Sequence, residues 1–412
     1  MSIIRPFRGY RPRAEIVAQV AAPPYDVLSS QEAREIVAGN PLSFLRVTKA
    51  EVDLDSSVDI YSQPVYLKAK ENLHKFIAEG YLIRDETPCF YIYQQQMGEH
   101  VQYGVMAGVS VDEYQNGQIK KHEYTRLEKE NDRAHHINTI GANAGPVFLT
   151  YRASSRVDAI VDHVREEKAV YDFFEDDGVR HTFWVVDEES SIKGLKKAFA
   201  GIECLYIADG HHRSAAASRV REIRKTANPH HTGYEEYNYY LGVIFPHDQM
   251  KILDYNRVVK DLNGFTEGEF IAQIAERFDL AEAADPKPEA KNSFGMYLGG
   301  KWYRLFAREG TYPKDDPVES LDVSILQSNL LDPLLGIKDE RTDARIDFVG
   351  GIRGTKELER RCGKDCVVAF TMHPTSIGEL MKIADAGKVM PPKSTWFEPK
   401  LRSGVVVRML EE

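Results

Sequence analysis

Apolar residues recur along the chain with two different periods, and the change from one to the other marks out its elements. Val65, Ala69, Leu73, Phe76 and Ile77 fall three to four residues apart, which lines one face of a helix over 64–79. The runs 89–97 and 101–111 are rich in Tyr, Phe and Val and flank Gly98-Glu99-His100, the pattern of two strands joined by a tight turn. Before them, a proline-rich entry over 5–28 leads to Ser29 and Ser30, which cap a short helix ending near Gly39-Asn40-Pro41. After them the pattern predicts a polar helix over 126–138, a strand over 146–151, a helix over 157–174, strands over 181–186 and 202–208 around a helix over 191–199, and an alanine-rich helix over 214–227 that stops at Asn228-Pro229. The remainder reads as strands 239–245 and 251–254, helix 267–278, a hairpin of 293–298 with 302–306 around Gly299-Gly300, helix 323–335, strand 367–371, helix 377–386 and a last strand 404–408. The class is α+β with mixed sheets. The charged, proline-bearing segment 283–291 serves as a linker, so the expected division is a region 1–280 and a smaller α+β region 292–412.

One stretch carries more chemistry than its local structure requires. In Tyr206-Ile207-Ala208-Asp209-Gly210-His211-His212-Arg213-Ser214-Ala215-Ala216-Ala217 an apolar strand stops at an Asp-Gly turn, and charged or titratable side chains then open an alanine-rich helix. The free amides and partial positive charge of a helix start make an anion site of such a turn, with Gly210 and Ser214 supplying backbone groups. Asp209 is suited to hold a cation or take a proton, and Arg213 to grip a phosphate or carboxylate. His211 and His212 are adjacent and so diverge, which makes each a better base, phosphate donor or orienter of Asp209 than one of a pair of ligands on one ion. A metal here, held by Asp209 and phosphate oxygens, would be magnesium. Capping of an ordinary surface helix is the plainer reading, but it needs fewer of these residues.

A second cluster, Lys120-Lys121-His122-Glu123-Tyr124-Thr125-Arg126, places a His-Glu pair at a strand end, a possible base with a metal or hydroxyl contact. The charges that follow it suit a solvated helix face. The HExxH zinc signature is absent because Arg126 occupies the second histidine position. A third segment, from Met390-Pro391-Pro392-Lys393-Ser394-Thr395 through Trp396 and Phe397 to Lys400, Arg402 and Gly404, combines stiffness, hydroxyls and cations. It reads either as a clamp over an anion, with Lys393 and Arg402 as ligands, or as a plain lead-in to the last strand.

Composition narrows the partners rather than the chemistry. A formal net charge of −10 over 412 residues makes a nucleic-acid backbone an unlikely partner. No run approaches the apolar length that spans a membrane, and the first residues lack a signal peptide's apolar core, so the expected location is the cytoplasm. Four cysteines without a CxxC pair indicate reduced thiols rather than a disulfide framework or thiolate zinc site.

The pieces Arg5-Pro6-Phe7, Ala22-Pro23-Pro24-Tyr25-Asp26, His122-Glu123 with Thr125, Asp209-Gly210-His211-His212-Arg213 and Met390-Pro391-Pro392-Lys393-Ser394-Thr395 through Pro399-Lys400 together resemble the domain-of-unknown-function family 1015. The Asp-Gly-His-His-Arg turn also resembles the phosphate-binding turn of the ParB and sulfiredoxin superfamily, whose members include free-serine kinases. That resemblance implies a ParB/sulfiredoxin-like core elaborated by further α/β segments, and a magnesium-dependent phosphotransferase that uses ATP or ADP on a small hydroxylated metabolite such as serine. It implies that Gly210 to Arg213 hold nucleotide phosphates, that Arg213 balances charge, that Asp209, His211 and His212 sit beside the transferring group, and that Glu123 is the base, with His122 and Thr125 in support. A phosphate-ester hydrolase and a nucleotide-responsive binding module are the alternatives.

Overall fold

Apolar strands that alternate in chain order with amphipathic helices have to pair out of sequence to bury both, and the first half of this chain does so in one mixed sheet. The computed structural model describes residues 1–411. Its contacts divide the chain into a unit formed by Met1–Met250 with the segment from Pro399 onward, and a second unit, Lys251–Glu398. The sequence-based division at 280–292 thus lies inside the second unit, and the last residues return to the first.

The first unit holds a nine-stranded sheet made of β1 (Ile4–Arg5), β2 (Phe90–Met97), β3 (His100–Ser110), β4 (Ile119–Lys120), β5 (Val147–Tyr151), β6 (Tyr171–Phe174), β7 (Arg180–Val186), β8 (Leu205–Asp209) and β9 (Tyr239–Pro246). The order is β4-β8-β5-β9-β3-β2-β7-β6, with β1 added to β3. The pairs β4 with β8 and β5 with β9 are parallel and the others antiparallel. In β8 the residues Leu205, Tyr206, Ile207 and Ala208 are all buried, the continuous apolar run expected of a strand covered on both faces. Helices α1 (Gln63–Ala78), α2 (Leu127–Ile140), α3 (Ser155–Arg165), α4 (Glu189–Ala200) and α5 (His211–Ala227) complete the main frame. α2 packs along α5, α5 lies against β5 and β9, and α3 packs on α4. Ala215, Ala216 and Ala217 are buried, so the small side chains of α5 let its axis come close to the sheet. Ile92, Val105, Val147, Leu149, Ile207 and Ile244 join one core cluster with side chains of α3 and α4, each worth about 1.5–3 kcal/mol relative to exposure.

The second unit carries a six-stranded sheet of β10 (Tyr255–Val259), β11 (Phe278–Glu282), β12 (Ser293–Leu298), β13 (Lys301–Ala307), β14 (Ile346–Gly350) and β15 (Val368–Met372). Its order is β11-β13-β12-β15-β10-β14, antiparallel throughout. Thr266 and Ser376 each close a capping box at the start of Glu267–Ile274 and Ile377–Asp385. The molecule is therefore α+β with mixed sheets. None of its helices among the described residues is long and apolar enough to cross a membrane, and its four cysteines are free.

Several elements differ from the sequence expectation for identifiable reasons. The helix predicted over 157–174 ends at Arg165, and Tyr171–Phe174 is a strand whose residues alternate between buried and exposed. A period of two was hidden behind a helical one. The helix over 267–278 likewise stops at Ile274, leaving Phe278 to begin β11. The helix over 323–335 is α-helical only over Asp322–Leu326 and continues as a π turn over Gln327–Leu331. The last strand is reduced to Arg408–Met409, because Gly404 adopts a φ of +83° that breaks the extended run. The alanine-rich helix begins earlier than expected, at His211.

Glu113, on the short helix Val111–Gln115, is buried and accepts the Ile3 backbone N–H at 2.9 and 3.1 Å through its two carboxylate oxygens. Burial pushes its carboxyl up to about 7, against the pull of that N–H. The native state thus binds more protons than the unfolded chain between the ordinary glutamate range and neutrality. The associated stability is complete below about pH 4.5 and is lost as pH rises through 7. Glu113→Gln should therefore gain on the wild type by about 2–3 kcal/mol between pH 4 and pH 8, read from urea unfolding at each pH.

Candidate functional site

The site begins with two strand ends that the sheet sets side by side. β4 pairs in parallel with β8, Ile119 opposite Leu205 and Lys120 opposite Tyr206. Both chains leave the sheet in the same direction, so His122 and Glu123 emerge beside Asp209, Gly210 and His211. Gly210 makes the turn with a φ of +99° and caps α5 with no side-chain hydrogen bond to the helix amides. A side chain at this φ is strained, and a Cβ would also stand 3.2 Å from Arg213 Nε. The helix start is consequently left to the backbone, the arrangement that attracts anions.

Two histidines tie the loop to the helix. His212 Nε2 accepts the Arg126 backbone N–H at 3.1 Å, and His211 Nε2 lies 3.5 Å from the His122 backbone nitrogen, at the limit of hydrogen bonding. His122 and His211 are buried, and their rings meet edge to face with centroids 4.5 Å apart. Burial pushes the His122 imidazole down to about 4, against the pull of the Ile207 backbone. Burial, with His122 beside it and against Asp209, holds His211 well below the usual histidine range. Burial and Arg126 also lower His212. All three rings are therefore neutral near pH 7.

The carboxylates mark the solvent side. The Glu123 side chain keeps 43% of its surface exposed while its Oε2 approaches His211 Nδ1 to 3.8 Å. Asp209 is 30% exposed and accepts from Lys400 Nζ at 3.0 Å, with Arg213 at 3.9 Å. Burial alone would raise its carboxyl, but the Lys400 and Arg213 cations outweigh that and hold it well below the usual range. Asp209 is a charged carboxylate at neutral pH.

The remaining sequence candidates are distributed unevenly around this floor. Arg213 turns inward: it donates to the Pro146 carbonyl and stands 3.9 Å from Asp26 as well as from Asp209. It is a buried counter-charge rather than a group reaching into solvent. Ser214 is fully buried, with its hydroxyl 3.4 Å from the Gly210 carbonyl. Thr125 donates to Glu130 at 3.1 Å. Arg402 is bound to Asp177, not to Asp209. Lys393 belongs to the second unit, where its ammonium lies 5.3 Å from the centre of the Tyr255 ring. The cation that does meet the turn is Lys400. Its signal in the sequence was its place in the Pro399-Lys400 pair beside Arg402, where three cations of one segment offered no local reason to prefer one.

An α+β protein with a strand-turn-helix junction whose helix start has no side-chain cap, and a His-Glu pair at its rim, is the class that this geometry defines. The chain belongs to the family described as "Protein of unknown function (DUF1015)", which matches residues 4–324. No curated protein matches it. Among solved structures it is similar to a variant of a free serine kinase in complex with AMP, at 13% identity and a TM-score of 0.39, over 74% of this chain and 91% of that chain. A variant of the free serine kinase in complex with ADP gives 14% identity and a TM-score of 0.39 over 74% and 92% of the two chains. A conserved hypothetical protein from Pyrococcus furiosus gives 13% and 0.36 over 74% and 95%.

Two measurements test the turn. Gly210→Ala should destabilise the protein by about 1–2 kcal/mol from the left-handed backbone alone, seen as a lower urea midpoint with an unchanged slope. In a double-mutant cycle, Lys400→Met and Asp209→Asn should be coupled by about 1–3 kcal/mol. Additive effects would mean that the ion pair does not hold the C-terminal segment to the turn.

Proposed function

We propose that the protein is a small-molecule phosphotransferase, moving a phosphoryl group from an adenine nucleotide to the hydroxyl of a small metabolite, with serine the first acceptor to try. The observation that carries the reading is the juxtaposition of an uncapped helix start with Glu123, 3.8 Å from His211 at its rim. The resemblance of Asp209-Gly210-His211-His212-Arg213 to the turn of free-serine kinases supports it independently of that geometry. Phosphoryl transfer asks a protein mainly for alignment and charge neutralisation, and the parts present supply both.

In this reading the amides that open α5 receive the phosphates of ATP or ADP. Glu123, half exposed and carried by a loop fixed to the helix, accepts the proton of the substrate hydroxyl as its oxygen attacks phosphorus and the nucleotide leaves one phosphate shorter. His211 orients Glu123 from the buried side. Arg213 balances Asp209 and Asp26 from beneath, and Lys400 fixes Asp209 and adds positive charge where the phosphates arrive. A magnesium ion fits Asp209, since one carboxylate oxygen stands 3.9 Å from Arg213 and only the other takes Lys400. When bound, it would neutralise phosphate charge, with phosphate oxygens and water as its other ligands. Thr125 and His122 support the loop.

The test is a single-turnover assay with labelled ATP or ADP and serine. Phosphoserine from either donor is expected, and none from both removes the serine reading. Inorganic phosphate released without an acceptor would mark a hydrolase, and thermal stabilisation by nucleotide without turnover a binding module. Glu123→Gln should lower kcat by about 10²- to 10⁴-fold, the usual range for loss of a general base, while the melting-temperature rise caused by nucleotide stays as in the wild type.

A further inference from the structure

His122 is the side chain for which the phosphotransfer chemistry has no direct use. It is only 2% exposed, and neither ring nitrogen makes a hydrogen bond of good geometry. A buried imidazole left this way is costly, and its place beside the turn points to a ligand. Its neighbours supply the rest of a coordination set. Among the described residues, His122, Glu123 and His211 each offer one ligand atom, and these atoms all lie within 4.8 Å of one another. Tetrahedral coordination with metal–ligand bonds of about 2.0–2.2 Å needs ligand atoms about 3.3 Å apart, and Glu123 Oε2 is already 3.8 Å from His211 Nδ1.

We infer that His122, Glu123 and His211 form a binding site for a divalent transition-metal ion of borderline softness, of the zinc or cobalt kind, distinct from the magnesium position at Asp209. The donor set decides the class of ion. Two imidazole nitrogens and one carboxylate oxygen suit zinc, cobalt and nickel, whereas magnesium prefers an all-oxygen shell. Three protein ligands with a fourth position toward solvent is also the pattern of an open zinc site rather than a closed structural one, and the exposure of Glu123 supplies that opening. The spacing explains why the sequence hid the site: His122 and Glu123 are adjacent, and the third ligand comes from the next strand end in the sheet rather than from a helical repeat.

The site stands on metal binding alone and does not require phosphotransfer. The two readings meet at one carboxylate, because Glu123 engaged by a transition ion is no longer available to take a proton. Protein stripped with chelator and titrated with Co²⁺ in the absence of nucleotide should take up one equivalent and develop the visible d–d absorption of a four-coordinate ion, which Zn²⁺ then bleaches. Glu123→Gln, at a half-exposed position, and His122→Ala should each weaken binding by at least about 100-fold, beyond the 10- to 100-fold that loss of an outer partner causes. Circular dichroism of both variants checks folding. Wild-type protein that binds no Co²⁺, or variants that bind it as tightly as the wild type, would overturn the inference. Where His122→Ala fails to fold, the Glu123→Gln titration decides it.

Discussion

Everything chemical in this molecule rests on the parallel register of two very short strand segments, Ile119–Lys120 against Leu205–Tyr206. A parallel pair sends both chains off the same sheet edge, and only that geometry brings Glu123 to the mouth of a helix that begins more than eighty residues later. An antiparallel pairing of the same segments would have sent the His-Glu pair to the opposite end of the sheet. Because the register involves so few residues, it needs help from outside the ladder. The backbone N–H of Arg126 bonded to His212, and that of His122 beside His211, give it by fastening the loop to the helix just beyond the point where strand pairing stops.

Polarity around the turn is arranged in depth. The dry layer holds neutral rings and the guanidinium of Arg213, whose positive charge is met by Asp26 and Asp209. The wet layer holds the two carboxylates. Such an ordering gives the buried charge of Arg213 its counter-charges, while the ring nitrogens of His122 and the Nε of Arg213 are left without hydrogen-bond partners. It also means that the charged state of Asp209 depends on Lys400, a residue 191 positions away in the chain.

The distinction between what the sequence made legible and what it did not follows from range. The Asp-Gly turn, its helix and the pairing of His122 with Glu123 are local patterns with local causes, so their residue types announce them. The same holds for Ser29, expected with Ser30 to cap a helix, which is the N-cap and forms a box with Glu32. The choice among Lys393, Lys400 and Arg402 is a tertiary fact. Three cations on a stiff segment look equivalent until Asp177 takes Arg402 and Asp209 takes Lys400. For Arg213 the motif suggests both a ligand grip and a balancing charge, and only the fold adds its contacts with the carbonyl of Pro146 and the carboxylate of Asp26. The helix expected through Phe174 failed because alternating burial over four residues is too short to outweigh a helical pattern that precedes it.

The second unit is an excursion of the chain between Met250 and Pro399, both of which belong to the first. A ribosome therefore releases the strand, turn and helix of the candidate site long before it releases the lysine that pairs with their aspartate. During that interval the nascent turn carries a carboxylate without its ammonium. Completion of the Asp209–Lys400 pair therefore waits for the whole intervening unit, Lys251–Glu398, and is timed by its length rather than by any feature of the turn itself.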